Sequence, residues 1–115
     1  MKLYIAGKIT GLAATTVLSD FEVAAGGLKR RGHTPLNPIT MVDQDATRDY
    51  NEQLIDALRI VLGEAEGMYM LANWQDSKGA RIEHAIAREL ALPIYYAASE
   101  LPVGCDWPEQ VDSEQ

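Results

Sequence analysis

The chain has 115 residues, enough for one domain that buries about two thirds of its unfolded surface but not for a second catalytic domain. Apolar residues make up 47% and charged residues 23%, and no apolar run approaches the roughly 20 residues of a bilayer span, so an integral membrane helix is excluded. Seventeen acids against ten bases leave a net charge of -7, which repels a polyphosphate backbone, so no nucleic acid partner is expected.

The run Leu3-Tyr4-Ile5-Ala6 is β-prone and stops at Gly7, where two glycines bracket the turn Gly7-Lys8-Ile9-Thr10-Gly11. From about residue 16 to 31, Val17, Phe21, Ala24, Ala25 and Leu28 recur at helical spacing, and Gly32 supplies a left-handed stop. Lys29-Arg30-Arg31, the only basic cluster, then falls at the negative pole of that helix. Residues 33–36 read as a short second strand closed by Asn37-Pro38, and residues 37 to about 47 as a loop. Tyr50, Leu54, Ile55, Leu58, Val61 and Leu62 predict one apolar face on a helix over about residues 48–63.

Residues 68–72, Met-Tyr-Met-Leu-Ala, form the continuous apolar run of a central strand covered on both faces. A loop over residues 73–76 follows. Ser77 is then placed to cap a helix whose Ala80, Ile82, Ala85, Ile86 and Leu90 face inward, and Pro93 stops it before a last strand over residues 94–96. Tyr69, Tyr95 and Tyr96 are expected to pack in the core. Residues 98–115 hold five acids, no base and no periodicity, and read as an acidic tail that is loosely ordered or docks by Leu101, Val103 and Trp107.

Strict βαβ alternation predicts a three-layer, flavodoxin- or Rossmann-like α/β fold: a parallel sheet of four to five strands with helices on both faces. The site of such a fold lies beyond the carboxyl ends of its strands, which singles out the loops at 7–11, 37–47 and 73–79. The first loop is neither the dinucleotide fingerprint nor a phosphate loop. It offers close backbone approach at Gly7 and Gly11 and an anion contact at Lys8, or is a plain turn. The third loop gathers Trp74, Asp76, Ser77, Gly79 and Ala80 around one helix N-terminus, suited to an anion or to ribose hydroxyls. Glu83, in the second turn, is either an ionised carboxylate able to attack an anomeric carbon or a surface partner of Lys78 or Arg81. Asp76 is a capping residue or a general acid. His33, His84 and Cys105 lack metal-ligand spacing, so no metal and no cofactor are expected. A lone cysteine and an N-terminus without a secretory apolar region fit a reducing cytoplasm.

Three segments, Tyr4 to Gly11, Gly32-His33 with Asn37-Pro38, and Asn73-Trp74-Gln75-Asp76-Ser77-Lys78-Gly79-Ala80-Arg81-Ile82-Glu83-His84, resemble in order and spacing a small bacterial and phage family of the nucleoside 2-deoxyribosyltransferase-like superfamily. The resemblance covers residues 1–97 and leaves the tail outside. It implies N-glycosidic bond chemistry on a nucleoside or its 5′-monophosphate, with no cofactor. Glu83 matches the nucleophile that attacks C1′, Tyr4 matches a tyrosine that orients it, and Ser77 matches a position that binds the sugar's 5′ end or its phosphate. Gly7, Lys8, Ile9, Gly11, Asn37, Asp76, Gly79 and Ala80 complete the implied substrate-binding set, with Trp74 placed to stack on a base. Glu66 stands where the superfamily often has an aspartate, Asp56 is the candidate for a second acid, and protonation of the leaving base is unassigned. Relatives complete their sites with a neighbouring subunit, so a homo-oligomer is expected. The alternative is a catalytically silent module that binds a nucleotide metabolite in the same cleft.

Overall fold

A computed structural model of the chain describes residues 1–42, 49–96 and 100–101. Its elements in order are β1 (Lys2–Ala6), α1 (Ala14–Arg30), β2 (Thr34–Leu36), α2 (Pro38–Met41), α3 (Tyr50–Gly63), β3 (Gly67–Met70), a 3₁₀ turn (Trp74–Asp76), α4 (Lys78–Glu89) and β4 (Ile94–Tyr95). The four strands form one parallel sheet in the order β2-β1-β3-β4. The chain leaves β1 in one direction to reach β2 and returns past it to β3, so the order reverses between β1 and β3. That reversal opens a crevice at the carboxyl ends of the two central strands.

Side chains of β1 alternate between the two layers, as the pleat requires. Leu3 and Ile5 join Val17, Phe21 and Leu28 of α1 on one face. Tyr4 and Ala6 join Met68 and Met70 of β3 on the other, beneath Ala57, Ile60 and Val61 of α3 and Ala80 and Ala87 of α4. Both faces being covered explains why β1 and β3 read as unbroken apolar runs. Leu101 is buried on the α1 face. Val103 and Trp107, the other expected tail contacts, lie outside the described residues.

The expected stop at Gly32 is a Schellman arrangement: Gly32 has φ 84°, its N–H donates to the Lys29 carbonyl, and the His33 N–H donates to that of Leu28. α1 begins two residues before its predicted start because Ala13, its N-cap, makes no side-chain bond that would mark the position. The loop expected from residue 37 is instead a helix at its outset. Asn37 Oδ1 accepts the Ile39 N–H at 3.0 Å, and Pro38 occupies the first helical turn, where its missing donor costs nothing. The proline that ends the strand thus begins α2. Likewise the loop at 73–76 contains a 3₁₀ turn.

The inward faces of two helices are rotated from their predicted positions. On α3 the buried residues are Ala57, Ile60 and Val61, while Ile55 and Leu62 are 49% and 60% exposed and Tyr50 is 40% exposed. On α4 the buried residues are Ala80, Glu83 and Ala87; Ala85 is exposed and Leu90 is 46% exposed. The spacing 80, 83, 87 is that of an ordinary core stripe with a carboxylate at its centre. Tyr69 and Tyr95 pack against the α1-side core, whereas Tyr96 follows β4 and is 47% exposed.

Candidate functional site

Glu83 is held inward by α4, whose start is fixed by Ser77: its Oγ accepts the Ala80 N–H at 3.1 Å. The alanines at 80 and 87 flank Glu83 and are nearly inaccessible, so the helix lies close to the sheet and carries the carboxylate onto Tyr4 of β1. The Tyr4 hydroxyl donates to Glu83 Oε2 at 2.7 Å, with Tyr4 1% and Glu83 6% exposed. Among the described residues Tyr4 is the carboxylate's one hydrogen-bond partner. A pairing of Glu83 with Lys78 or Arg81 on a solvated face does not occur; the Arg81 guanidinium donates to the Gln75 carbonyl instead.

Burial dominates the electrostatics of this pair. Loss of water pushes the Glu83 carboxyl up from 4.5 to about 7, against the Tyr4 hydrogen bond, which pulls it down. Burial also raises the Tyr4 hydroxyl well above 10, helped by the adjacent Glu83 charge and then by their hydrogen bond. Near neutrality the tyrosine is therefore a fixed donor and the glutamate is divided between its acid and its carboxylate. A carboxyl group poised in this way suits proton transfer or nucleophilic attack.

The pair forms the floor of a cleft at the carboxyl end of the sheet, an open space of about 590 Å³ that includes solvent at its mouth. Of the expected site residues, Tyr4, Gly7, Ile9, Ser77, Gly79, Ala80 and Glu83 line it. Gly7 is fixed by close approach, since a Cβ there would fall 2.5 Å from Leu71 Cδ1 and 2.9 Å from Leu71 Cβ. Its neighbour Lys8 donates its backbone N–H to Asn73 Oδ1 at 3.0 Å, tying the first loop to the third across the crevice.

The remaining expected residues are elsewhere. Lys8, Gly11, Asn37, Trp74 and Asp76 do not line the cleft. Gly11 has φ 89° in the turn before α1, Asn37 caps α2 through its side-chain oxygen, and Asp76 is exposed at the end of the 3₁₀ turn. Trp74 stacks on His84, with ring centroids 4.2 Å apart and planes 25° apart, and His84 Nε2 is 2.8 Å from the Tyr96 hydroxyl. Trp74 thus satisfies its stacking outside the cleft. Burial, and then Arg88, lower the His84 pKa. Glu66 accepts the Lys2 N–H at 2.6 Å at the amino end of β1, the far end of the sheet, and Asp56 pairs with Arg59 at 3.6 Å on α3. Neither lines the cleft, and Glu83 is the one carboxylate among its described lining residues.

The sequence reading missed the wall supplied by α2 and α3: Pro38, Val42, Tyr50, Gln53, Leu54 and Ala57. Residues 50, 53, 54 and 57 are one helical face, and a tyrosine and a glutamine at its amino end were the available sign that this face borders a cleft before it meets the core. Among the described residues, no three His, Cys, Asp or Glu side chains gather as a metal site, and no helix is long and apolar enough to cross a membrane.

A family model described as a domain of unknown function (DUF4406) matches residues 1–96. No curated protein and no solved structure matches the chain.

Proposed function

We propose, for a chain that belongs to the DUF4406 family of domains of unknown function, that the cleft cleaves or transfers the N-glycosidic bond of a nucleoside or its 5′-monophosphate through a covalent glycosyl-Glu83 intermediate. The observation that carries this reading is the buried 2.7 Å bond from the Tyr4 hydroxyl to Glu83 Oε2 at the cleft floor. It fixes one carboxylate oxygen and the rotation of the group, so that the deprotonated carboxylate is aimed rather than mobile.

The chemistry follows the retaining logic of glycosidases. A Glu83 oxygen bonds to C1′ as the C1′–N bond breaks, and its electron pair leaves with the base, which takes up a proton. The carboxylate's charge stabilises the oxocarbenium-like transition state, more strongly because the buried Glu83 is little screened by water. Water then attacks C1′ to release the sugar, or a second base attacks to complete a transfer; either way Glu83 regains its carboxylate. Ser77 and the first turn of α4 face the sugar in this reading.

The test is incubation of the pure protein with a panel of nucleosides and monophosphates, followed by chromatography for free base. The wild type releases base from at least one member and Glu83→Ala from none. Equal release by both would end the proposal.

A non-catalytic binding module has one observation in its favour: the described cleft lining holds no second carboxylate to protonate a leaving base. It predicts binding without product in the same panel. The reading also includes a cytoplasmic setting and a homo-oligomer. The oligomer is supported by the exposed Ile55 and Leu62, seven residues apart on α3. Light scattering that finds only monomer at working concentration would remove that part.

A further inference from the structure

The cleft is lined by three described aromatic rings, Tyr4, Phe21 and Tyr50. Tyr4 and Phe21 are 1% and 0% exposed and present no face to a ligand, whereas Tyr50 is 40% exposed. Trp74, the ring the sequence offers for stacking, is taken by His84 outside the cleft. Tyr50 is the first residue of α3, and its side chain reaches the amino end of α4, where a Cβ on Gly79 would lie 2.9 Å from the Tyr50 hydroxyl. The ring therefore spans from one wall of the cleft to the other, its tip seated where Gly79 has no side chain.

We infer that Tyr50 is the aromatic platform on which the heterocyclic base of the substrate stacks, with Gly79 as the residue that lets the ring take that position. This rests on the nucleoside reading of the cleft and adds to it the surface that holds the base. A half-exposed ring at a cleft mouth is costly to leave in water and gains by covering its face. A purine or pyrimidine covers it with a flat surface of matching size, and stacking tolerates a change of base because every base has a π-face.

Equilibrium binding separates this inference from the catalytic one. Adenosine, cytidine and thymidine are titrated calorimetrically into Glu83→Gln protein, which by the account binds without turnover, and into the same protein carrying Tyr50→Ala or Tyr50→Phe. Loss of the ring weakens binding by roughly tenfold or more, the range of base–aromatic stacking, and Tyr50→Phe stays within about threefold because the platform is kept. Gly79→Ala weakens binding when Tyr50 is present and has little effect beside Tyr50→Phe, which has no hydroxyl to displace. Should Tyr50→Ala fail to fold, Tyr50→Leu removes the ring and keeps apolar bulk. Unchanged affinity without the ring overturns the platform and leaves catalysis untouched. Tight, ring-dependent binding with no base release by the wild type overturns catalysis and leaves the platform standing. No nucleoside binding at all overturns both.

Discussion

Replacing Glu83 by glutamine removes the carboxyl whose burial dominates the cleft while keeping its shape and an oxygen to accept from Tyr4. Burial raises this group from 4.5 to about 7 in the folded protein. The folded state therefore holds the proton more tightly than the unfolded chain, so this group's contribution to stability is fully present below pH 4.5 and is lost as pH rises through about 7. At about 1.4 kcal/mol for each tenfold change in proton affinity, the full loss is about 3 kcal/mol. Most of it, about 2–3 kcal/mol, falls between pH 5 and 8. Glutamine carries no such penalty, so Glu83→Gln is close to the wild type at pH 5 and more stable at pH 8. Urea unfolding of both proteins at the two pH values measures the gap, as a widening of the midpoint difference by roughly 1–2 M for an ordinary dependence on denaturant. Every other titrating group is common to both proteins and cancels. A difference that stays flat across this range, or a variant less stable at pH 8, would refute the claim that a buried charge is maintained here at the fold's expense.

Other consequences follow from single contacts. Tyr4→Phe removes the bond that pulls the Glu83 pKa down against the burial that raises it to about 7; if Glu83 is the nucleophile of base release, the rise of kcat/KM with pH is expected to move to higher pH than in the wild type, and a profile at the same position means that the hydroxyl does not act on the carboxyl. Ala91 has φ 58° as it closes α4, its N–H donating to the Arg88 carbonyl. That conformation costs an L-residue about 1–2 kcal/mol, and glycine's extra freedom when unfolded offsets about 0.4–1 kcal/mol of the relief. Ala91→Gly thus raises the melting temperature by a few degrees, where an ordinary helical alanine replaced by glycine lowers it. Gly7→Ala meets Leu71 and destabilises by about 1–3 kcal/mol; Leu71→Ala in the same chain recovers part of this, which a double-mutant cycle in urea reads directly.

The sheet and its site edge were legible because their signals are backbone signals. The two-sided apolar runs of β1 and β3, Gly32 after α1 and Ser77 before α4 each state a local geometry that the tertiary structure has no reason to override. Helix phase was less legible. On α4, the inner face read from the apolar residues Ala80, Ile82, Ala85, Ile86 and Leu90 keeps Ala80, but the structure centres the buried stripe on Glu83, to which Tyr4 on the facing side of the sheet supplies a partner. That stripe leaves Ala85 and Leu90 toward solvent. Asn37-Pro38 signals both the end of an extended segment and the start of a helix, and only the side-chain bond to the Ile39 N–H shows which follows. Trp74 and Tyr50 are the sharpest pair: the tryptophan lies within the motif in sequence and packs outside the cleft, whereas the tyrosine lies on a helix outside the motif and lines it.

The most direct trial of Glu83 as a nucleophile is to catch the sugar on it. A nucleoside that the protein accepts, rebuilt with fluorine on the sugar carbon next to C1′ to slow hydrolysis of the intermediate, is incubated with the wild type, and the digested protein is analysed by mass spectrometry. A fluoropentosyl mass is expected on the peptide containing Glu83 and none in Glu83→Gln. Base released in full while the adduct sits on another residue, or with the Glu83→Gln protein releasing base at the wild-type rate, would contradict it.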